Sequence, residues 1–262
     1  MSEDMYTPEA KIDVSSIPKD AKIRRFGPVH RIMHGVLIVA INIQFFTGIP
    51  LRYRNAGWAQ WMFNQVGGVP VMGLLHRIGG VAFLLVVLMH AAWLIYYVFI
   101  KKGQWYGDTS ILFRLEDLYH VVGNIKYMLG RGPEPKFGRY NYWEKFDWMA
   151  VFWGSMIIGA TGAAIMAKNY LMTLNLLPKQ FYNVATILHS DEAVLAMGFL
   201  YVAHWYGAHW NPAKFPINTV VFTGIETREE LEDERPGEWE LLEKDPKWLK
   251  ERLIEDEEPR RK

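Results

Sequence analysis

Apolar and polar positions alternate along this chain on two scales. Four long apolar stretches, each about the length needed to cross a bilayer, are separated by connections rich in charge, glycine and tryptophan. The first covers about 32–51, with Gly48 and Pro50 marking its exit, and the second about 77–100. The third covers about 147–167 and the fourth about 187–209, ending at Asn211-Pro212. Between the second and third, a shorter segment at about 109–129 places apolar residues at Ile111, Leu115, Leu118, Val122, Ile125 and Leu129. Steps of four and three make one helical stripe, with Arg114, Glu116, Asp117, Asn124 and Lys126 off it. Such a helix rests on a membrane surface or against a bundle. The expected fold is an all-α membrane protein: a polar segment 1–28, a four-helix transmembrane bundle over 29–211 with an interfacial helix, and a charged tail 212–262.

Charge sets the expected orientation. Mean hydropathy is near zero (−0.03) and the formal charge is +1, values that hide segregation: 15 of the 28 acidic residues lie in the last 37 positions, from Glu226 on. The stretch before the first span carries five basic residues (Lys11, Lys19, Lys22, Arg24, Arg25) and the connection 101–145 eight, against two each in 52–75 and 168–186. Positive residues stay inside, so both termini are expected in the cytoplasm. No apolar core followed by a small-residue cleavage site occupies residues 1–25, so no cleaved signal peptide is expected. The absence of cysteine excludes disulfides, iron–sulfur clusters, thiolate metal sites and covalent c-type haem. No phosphate-binding loop or nucleophile–base constellation is present, and the basic patches suit a membrane surface rather than nucleic acid.

Histidines supply the candidate chemistry. His189 and His204 lie fifteen residues apart in the fourth stretch, about 22 Å along a helix and about 60° around it. His76 and His90 repeat the arrangement in the second, at roughly 21 Å and about 40°. His34 sits just inside the first span, whereas His30 is expected at the interface and His120 in solvent. Intramembrane ionisable groups are costly and usually functional, and imidazole at two depths suits the axial positions of two stacked haems. Measured from the cytoplasmic ends, His34 is roughly 6 Å deep, His204 roughly 9 Å and His90 roughly 16 Å, with His189 and His76 beyond about 30 Å. Depth pairs His34 with His204 and His76 with His189. Sliding the second helix by one turn would bring His90 level with His204, so His90 either replaces His34 or serves another purpose. In the third span Gly154, Ser155, Gly159, Gly162 and Ala163 permit close approach of a helix or a flat macrocycle.

The sequence resembles the four-helix dihaem cytochrome b subunits of bacterial respiratory complexes, such as the membrane subunits of formate dehydrogenases, nickel–iron hydrogenases and thiosulfate reductases. The carriers are His34 with Thr47-Gly-Ile-Pro-Leu51, the His76-Arg-Ile-Gly79 start with His90, Tyr142-Trp-Glu-Lys-Phe-Asp-Trp148, and Lys214-Phe-Pro-Ile-Asn218 with Phe222-Thr-Gly224. Their order and spacing cover nearly the whole chain. The resemblance implies two b-type haems held by His34, His76, His189 and His204. His90 departs from the formate dehydrogenase subunit and is usual in the branch encoded beside multihaem c-type cytochromes. It further implies electron transfer in a prokaryotic inner membrane between an iron–sulfur or multihaem c-type cytochrome subunit and a quinone, menaquinone or ubiquinone. Under that reading Arg25, Arg31 and Arg77 are candidate partners of haem propionates, and His90, Glu144, Asp147 and Glu116 are candidates for moving protons. Two other classes remain open: a haem-bearing anchor without its own quinone site, and a proton or metal transporter or sensor.

Overall fold

The structure, a computed structural model, describes residues 14–210 and 212–254. Lys11 of the basic leader, Asn211 at the end of the fourth apolar stretch and tail residues 255–262 lie outside the described residues. A short strand, β1 (Lys22–Arg24), precedes α1 (Pro28–Arg52), α2 (Gly57–Val66) and α3 (Val69–Ile95). Then come α4 (Leu115–Met128), α5 (Tyr142–Met166), α6 (Lys168–Thr173) and α7 (Lys179–Phe199). α8 (Val220–Thr223), β2 (Ile225–Thr227), α9 (Arg228–Glu234), α10 (Pro236–Lys244), α11 (Pro246–Arg252) and β3 (Leu253–Ile254) complete the described chain.

Four long helices form the bundle: α1 lies against α3, α3 against α5, α5 against α7, and α7 returns to α1. Three of them, α1, α3 with its continuation to Ile100, and α5, are each long and apolar enough to cross a membrane. The fourth begins at Lys179, earlier than the hydropathy edge near 187, because Pro178 opens a helix that Phe181, Tyr182 and Ala185 already carry. It continues past Phe199 without a break, but over Leu200–Trp210 the backbone takes the wider i→i+5 turn of a π-helix. Outward-facing Ile32, Val39, Leu85, Phe99, Trp153, Leu195 and Val202 are all exposed. A belt of that kind is an apolar surface only lipid can cover, and the bundle is that of an integral membrane protein. Inside, helices approach closely. A Cβ on Gly79 would lie 2.6 Å from Ile43 Cγ2, and the Gln44 amide donates to the His76 carbonyl at 2.7 Å.

α4 is turned opposite to the way a soluble amphipathic helix packs. Its apolar stripe faces out, with Leu115 79% and Leu118 62% exposed, while Asp117 is buried against the bundle. There both carboxylate oxygens of Asp117 accept from the ammonium of buried Lys145 on α5, each at 2.8 Å. Asn124 donates to the Tyr142 hydroxyl at 2.8 Å. Polar groups therefore dock the helix, and its stripe is left for the lipid interface.

The largest difference from the sequence expectation lies at the termini. The segment before α1 and the charged region after α8 are not separate tails; they fold together into a cap over one end of the bundle. β1 is the middle strand of a small antiparallel sheet, with Ile23 opposite Glu226 of β2 and Leu253 of β3. Ile17, Ile23, Leu231, Trp239, Leu242 and Leu249 form its core. Two contributors to that core stand more than 200 residues from the rest, so no local pattern reveals their association. The isolated apolar positions within an otherwise charged stretch were the available signal.

Candidate functional site

Four of the expected histidines meet in two facing pairs, one at each end of the bundle. At the end away from the cap, His76 on α3 and His189 on α7 stand with ring centroids 6.2 Å apart and planes at 90°. Thr47 Oγ1 donates to the Ile43 carbonyl at 2.5 Å, so towards His76 Nδ1, 2.9 Å away, it accepts; His76 carries its proton on Nδ1. His189 Nδ1 lies 3.0 Å from the Ile158 carbonyl, which can only accept, so that ring is protonated there too. Both rings are thus left with Nε2 as the lone-pair atom. Imidazole bonds a metal at about 2 Å, so one ion between two such nitrogens puts the ring centroids roughly 6 Å apart. Each ring also lies against a glycine: a Cβ on Gly48 would fall 3.0 Å from His76 Cε1, and one on Gly162 2.9 Å from His189 Cε1.

At the capped end, His34 on α1 stands 6.4 Å from His204, centroid to centroid, at 58°. Asp147, near the start of α5, takes the His204 Nδ1–H through Oδ2, a carboxylate–imidazole contact that fixes the tautomer and again leaves Nε2 free. His34 Nδ1 is buried with no partner among the described residues. A third imidazole joins them. His209 is buried, 5.8 Å from the His34 ring and 5.3 Å from that of His204, and ligand atoms of the three lie within 4.8 Å of one another. Sequence periodicity places His209 about 140° around an α-helix from His204. The π-helical turn brings residues five apart onto one face instead, and stacks Trp205 on Trp210 at 4.8 Å as well. Asn218 holds the end of this stretch, its backbone N–H donating to His209 O at 3.0 Å and its amide to Ala208 O at 3.1 Å.

His90 belongs to neither pair. The Trp148 indole N–H donates to its Nε2 at 3.1 Å, and its ring stacks near Trp93 at 6.4 Å and 16°. His30 meets Trp93 edge-on at 4.2 Å, and His120 packs edge-on against Phe137 at 5.4 Å, less solvated than expected.

A cavity of 1330 Å³ occupies the capped end, reaching from His34, His204 and His209 to His90 and Trp148. Its outer wall is the cap, locked by a buried ion network. Glu238 accepts from Arg252 Nη1 at 2.6 Å, Arg139 Nη1 at 2.7 Å, Arg235 Nε at 3.0 Å and Arg25 Nη1 at 3.5 Å. Burial alone would push the Glu238 carboxyl up, but the guanidiniums of Arg139, Arg252, Arg25 and Arg235 together hold it down at about 2. Arg235 also binds Glu226 of β2, and Arg25 reaches Glu144 at 3.0 Å. Arg25 is therefore committed to the network, contrary to its expected role beside a propionate. Arg31 lines the cavity with its Nε buried and without a partner among the described residues, as an anion-binding guanidinium would. Arg77 is exposed beside the other pair. Of the proton-carrying candidates, His90, Glu144 and Asp147 line the cavity, whereas Glu116 is a half-exposed partner of Arg114 on α4.

Two facing imidazole pairs, glycines beneath two of the rings and a roomy cavity at one pair suit a flat iron macrocycle with two axial nitrogens. A sequence model of a family described as prokaryotic cytochrome b561 matches residues 25–217, well over half of the chain and all four bundle helices. No curated protein matches the chain in a sequence search.

Proposed function

The chain belongs to the prokaryotic cytochrome b561 family and is a membrane protein of b-type haem electron transfer; on that premise we propose that it carries two haems in series and joins a partner redox subunit to a quinone. His76 and His189 would hold one haem, His34 and His204 the other. The observation that carries this reading is the far pair: two imidazoles with both Nδ1 protons given away and both Nε2 lone pairs left, at centroid separation 6.2 Å. When bound, each haem supplies reversible one-electron transfer at its iron.

The protein's own residues do the rest. Thr47, the Ile158 carbonyl and Asp147 orient the rings and set their basicity. Arg31 is placed to bind a carboxylate substituent of the macrocycle. Asp147 and Glu144 stand in the cavity wall, where a quinone that takes up two electrons must also take up two protons. The basic excess before α1 and in residues 101–145 supports a cytoplasmic capped end in a prokaryotic inner membrane. The donor or acceptor, an iron–sulfur or multihaem c-type cytochrome subunit, would then dock at the opposite face.

His209 supports a second reading of the capped-end haem, because it is as near His34 as His204 is. His204 is preferred: its Nδ1 has the carboxylate partner typical of a ligating imidazole, and its spacing from His34 matches the far pair. Pyridine haemochrome quantitation and low-spin electron paramagnetic resonance on His34→Ala, His76→Ala, His189→Ala, His204→Ala and His209→Ala test both readings. Two haems in the wild type, with one lost in each of the first four variants, is the expected result. Loss in His209→Ala but not in His204→Ala would reassign the ligand. Quinol oxidation by the purified protein separates a quinone-linked subunit from a haem-bearing anchor with no quinone site.

A further inference from the structure

Net charge separates the two ends of the bundle differently from the count of basic residues. The capped side holds more Lys and Arg, but it also holds their partners. In 101–145 eight basic residues stand with five acidic ones, and ion pairs are made: Arg114 with Asp108, Lys145 with Asp117, Lys136 with Glu240 and Arg139 with Glu238. At the far end the connections 52–75 and 168–186 carry Arg52, Arg54, Lys168 and Lys179 and no Asp or Glu. All four are exposed. Arg52 binds Asp191 on α7 at 2.7 Å, and the Lys168 ammonium stands over the Tyr182 ring at 5.8 Å, a contact that leaves its charge in place. Among the described residues no carboxylate pairs with Arg54, Lys168 or Lys179. The far end therefore carries positive charge with almost nothing to offset it.

Two of these cations flank an ordered, apolar projection. α6 and the turn after it expose Tyr170, Leu174 and Leu176 between Lys168 and Lys179. Asn175, at φ +50°, reverses the chain in the left-handed region, and Leu176 N–H closes the turn on Leu171 O at 3.2 Å. An apolar centre with a charged rim is the anatomy of a protein interface. Position gives it a use. His76 is seven residues from the start of α3 and His189 ten from the start of α7, so the far imidazoles lie about 10–15 Å beneath this surface. An electron carrier in the aqueous phase reaches that pair by way of this surface.

Charge selects the occupant. A second copy of this chain would bring the same cations and be repelled, whereas a carboxylate-rich face complements them and is steered to them from a distance. We propose that the surface formed by Arg54, Lys168, Lys179 and the 170–176 projection is the docking site for an acidic redox protein, which exchanges electrons with the far pair from there. The assignment rests on the partner-linked reading given above and adds to it the charge of the partner and the residues that receive it.

The test is stopped-flow oxidation of the dithionite-reduced, haem-loaded full chain in phosphatidylcholine nanodiscs by two one-electron oxidants: plastocyanin, an acidic copper protein, and cytochrome c, a basic haem protein. In each encounter one electron leaves the chain's haem iron and reduces the oxidant's Cu(II) or Fe(III). Wild type is compared with the triple variant Arg54→Glu, Lys168→Glu, Lys179→Glu and with a capped-side control, Lys126→Glu, Arg131→Glu. Haem content and low-spin spectra are recorded on the same samples. With plastocyanin at low ionic strength the triple variant should lose about tenfold or more in rate, along with the salt dependence, while the control stays within about twofold. With cytochrome c the triple variant should gain, and haem content should be unchanged throughout. Equal plastocyanin rates in the triple variant and wild type would overturn the docking site. A drop confined to the control would overturn it too, moving electron exchange to the capped end while leaving a protein partner in place. A triple-variant effect seen in phosphatidylglycerol discs but not in phosphatidylcholine would assign the cations to anionic lipid headgroups instead. No oxidation of a fully haem-loaded wild type by either protein, although ferricyanide oxidises it, would remove the partner-linked reading itself.

Discussion

Replacing Glu238 by Gln should loosen the cap while leaving the bundle in place. Glu238 has a side chain 0% exposed and accepts from four guanidiniums: Arg235, between α9 and α10, and Arg252, at the end of α11, belong to the cap, whereas Arg25 and Arg139 are on segments tied to the bundle. The amide keeps the shape and removes the charge. Its ordinary value of 4.5 falls to about 2 in the folded protein. At ~1.36 kcal/mol per unit this is about 3 kcal/mol of stabilisation, the lower end of the roughly 3–5 kcal/mol lost when a buried ion pair is broken from one side. A cost of about 3 kcal/mol raises the population of cap-open molecules about a hundredfold. Hydrogen exchange at the amides of Leu231, Trp239 and Leu242, with limited proteolysis beyond Arg228, reads that change. The pH dependence follows from the sign: a depressed carboxyl stabilises fully above about 4.5, and the contribution is lost as pH falls from there towards 2. Wild-type cap protection should decline across that window, and the Gln variant should decline less because the Glu238 contribution has gone. Exchange rates in the variant within threefold of wild type at neutral pH would refute the reasoning, since the network would then contribute nothing net.

Gly162→Ala should lower haem content at the far pair, because its Cβ would stand 2.9 Å from His189 Cε1 and turn the ring; Gly159→Ala, which meets only Leu84 at 3.1 Å, is the control, with pyridine haemochrome as readout. Asp117→Asn should release α4 by stranding the Lys145 ammonium at a cost of roughly 3–5 kcal/mol, measured as new protease cleavage around residues 115–128. Asp117→Leu with Lys145→Met should recover most of that loss. Leu242→Ala, in the fully buried cap core, should cost about 2–5 kcal/mol of cap stability without changing haem content.

Much of this protein follows from its sequence because the membrane enforces simple rules. Long apolar runs have one way to satisfy their backbones in lipid, so α1, α3 and α5 were legible from hydropathy alone. Rise along a helix gives depth, and depth pairs the same histidines that the structure brings together: His34 with His204, and His76 with His189. Tertiary structure decided what depends on azimuth, tautomer or distant chain. His209 reaches the capped-end cluster only because Leu200–Trp210 winds more widely than an α-helix, a departure that 3.6-residue periodicity cannot express. His90 lies outside both pairs, its Nε2 accepting from the indole N–H of Trp148, fifty-eight residues away. The α4 stripe looks the same in sequence whether it faces core or lipid, and the buried contact of Asp117 with Lys145 selects lipid. Least legible was the cap. Its sheet and core join Ile23 to Leu231, Leu242 and Leu249, and only folding closes so long a loop.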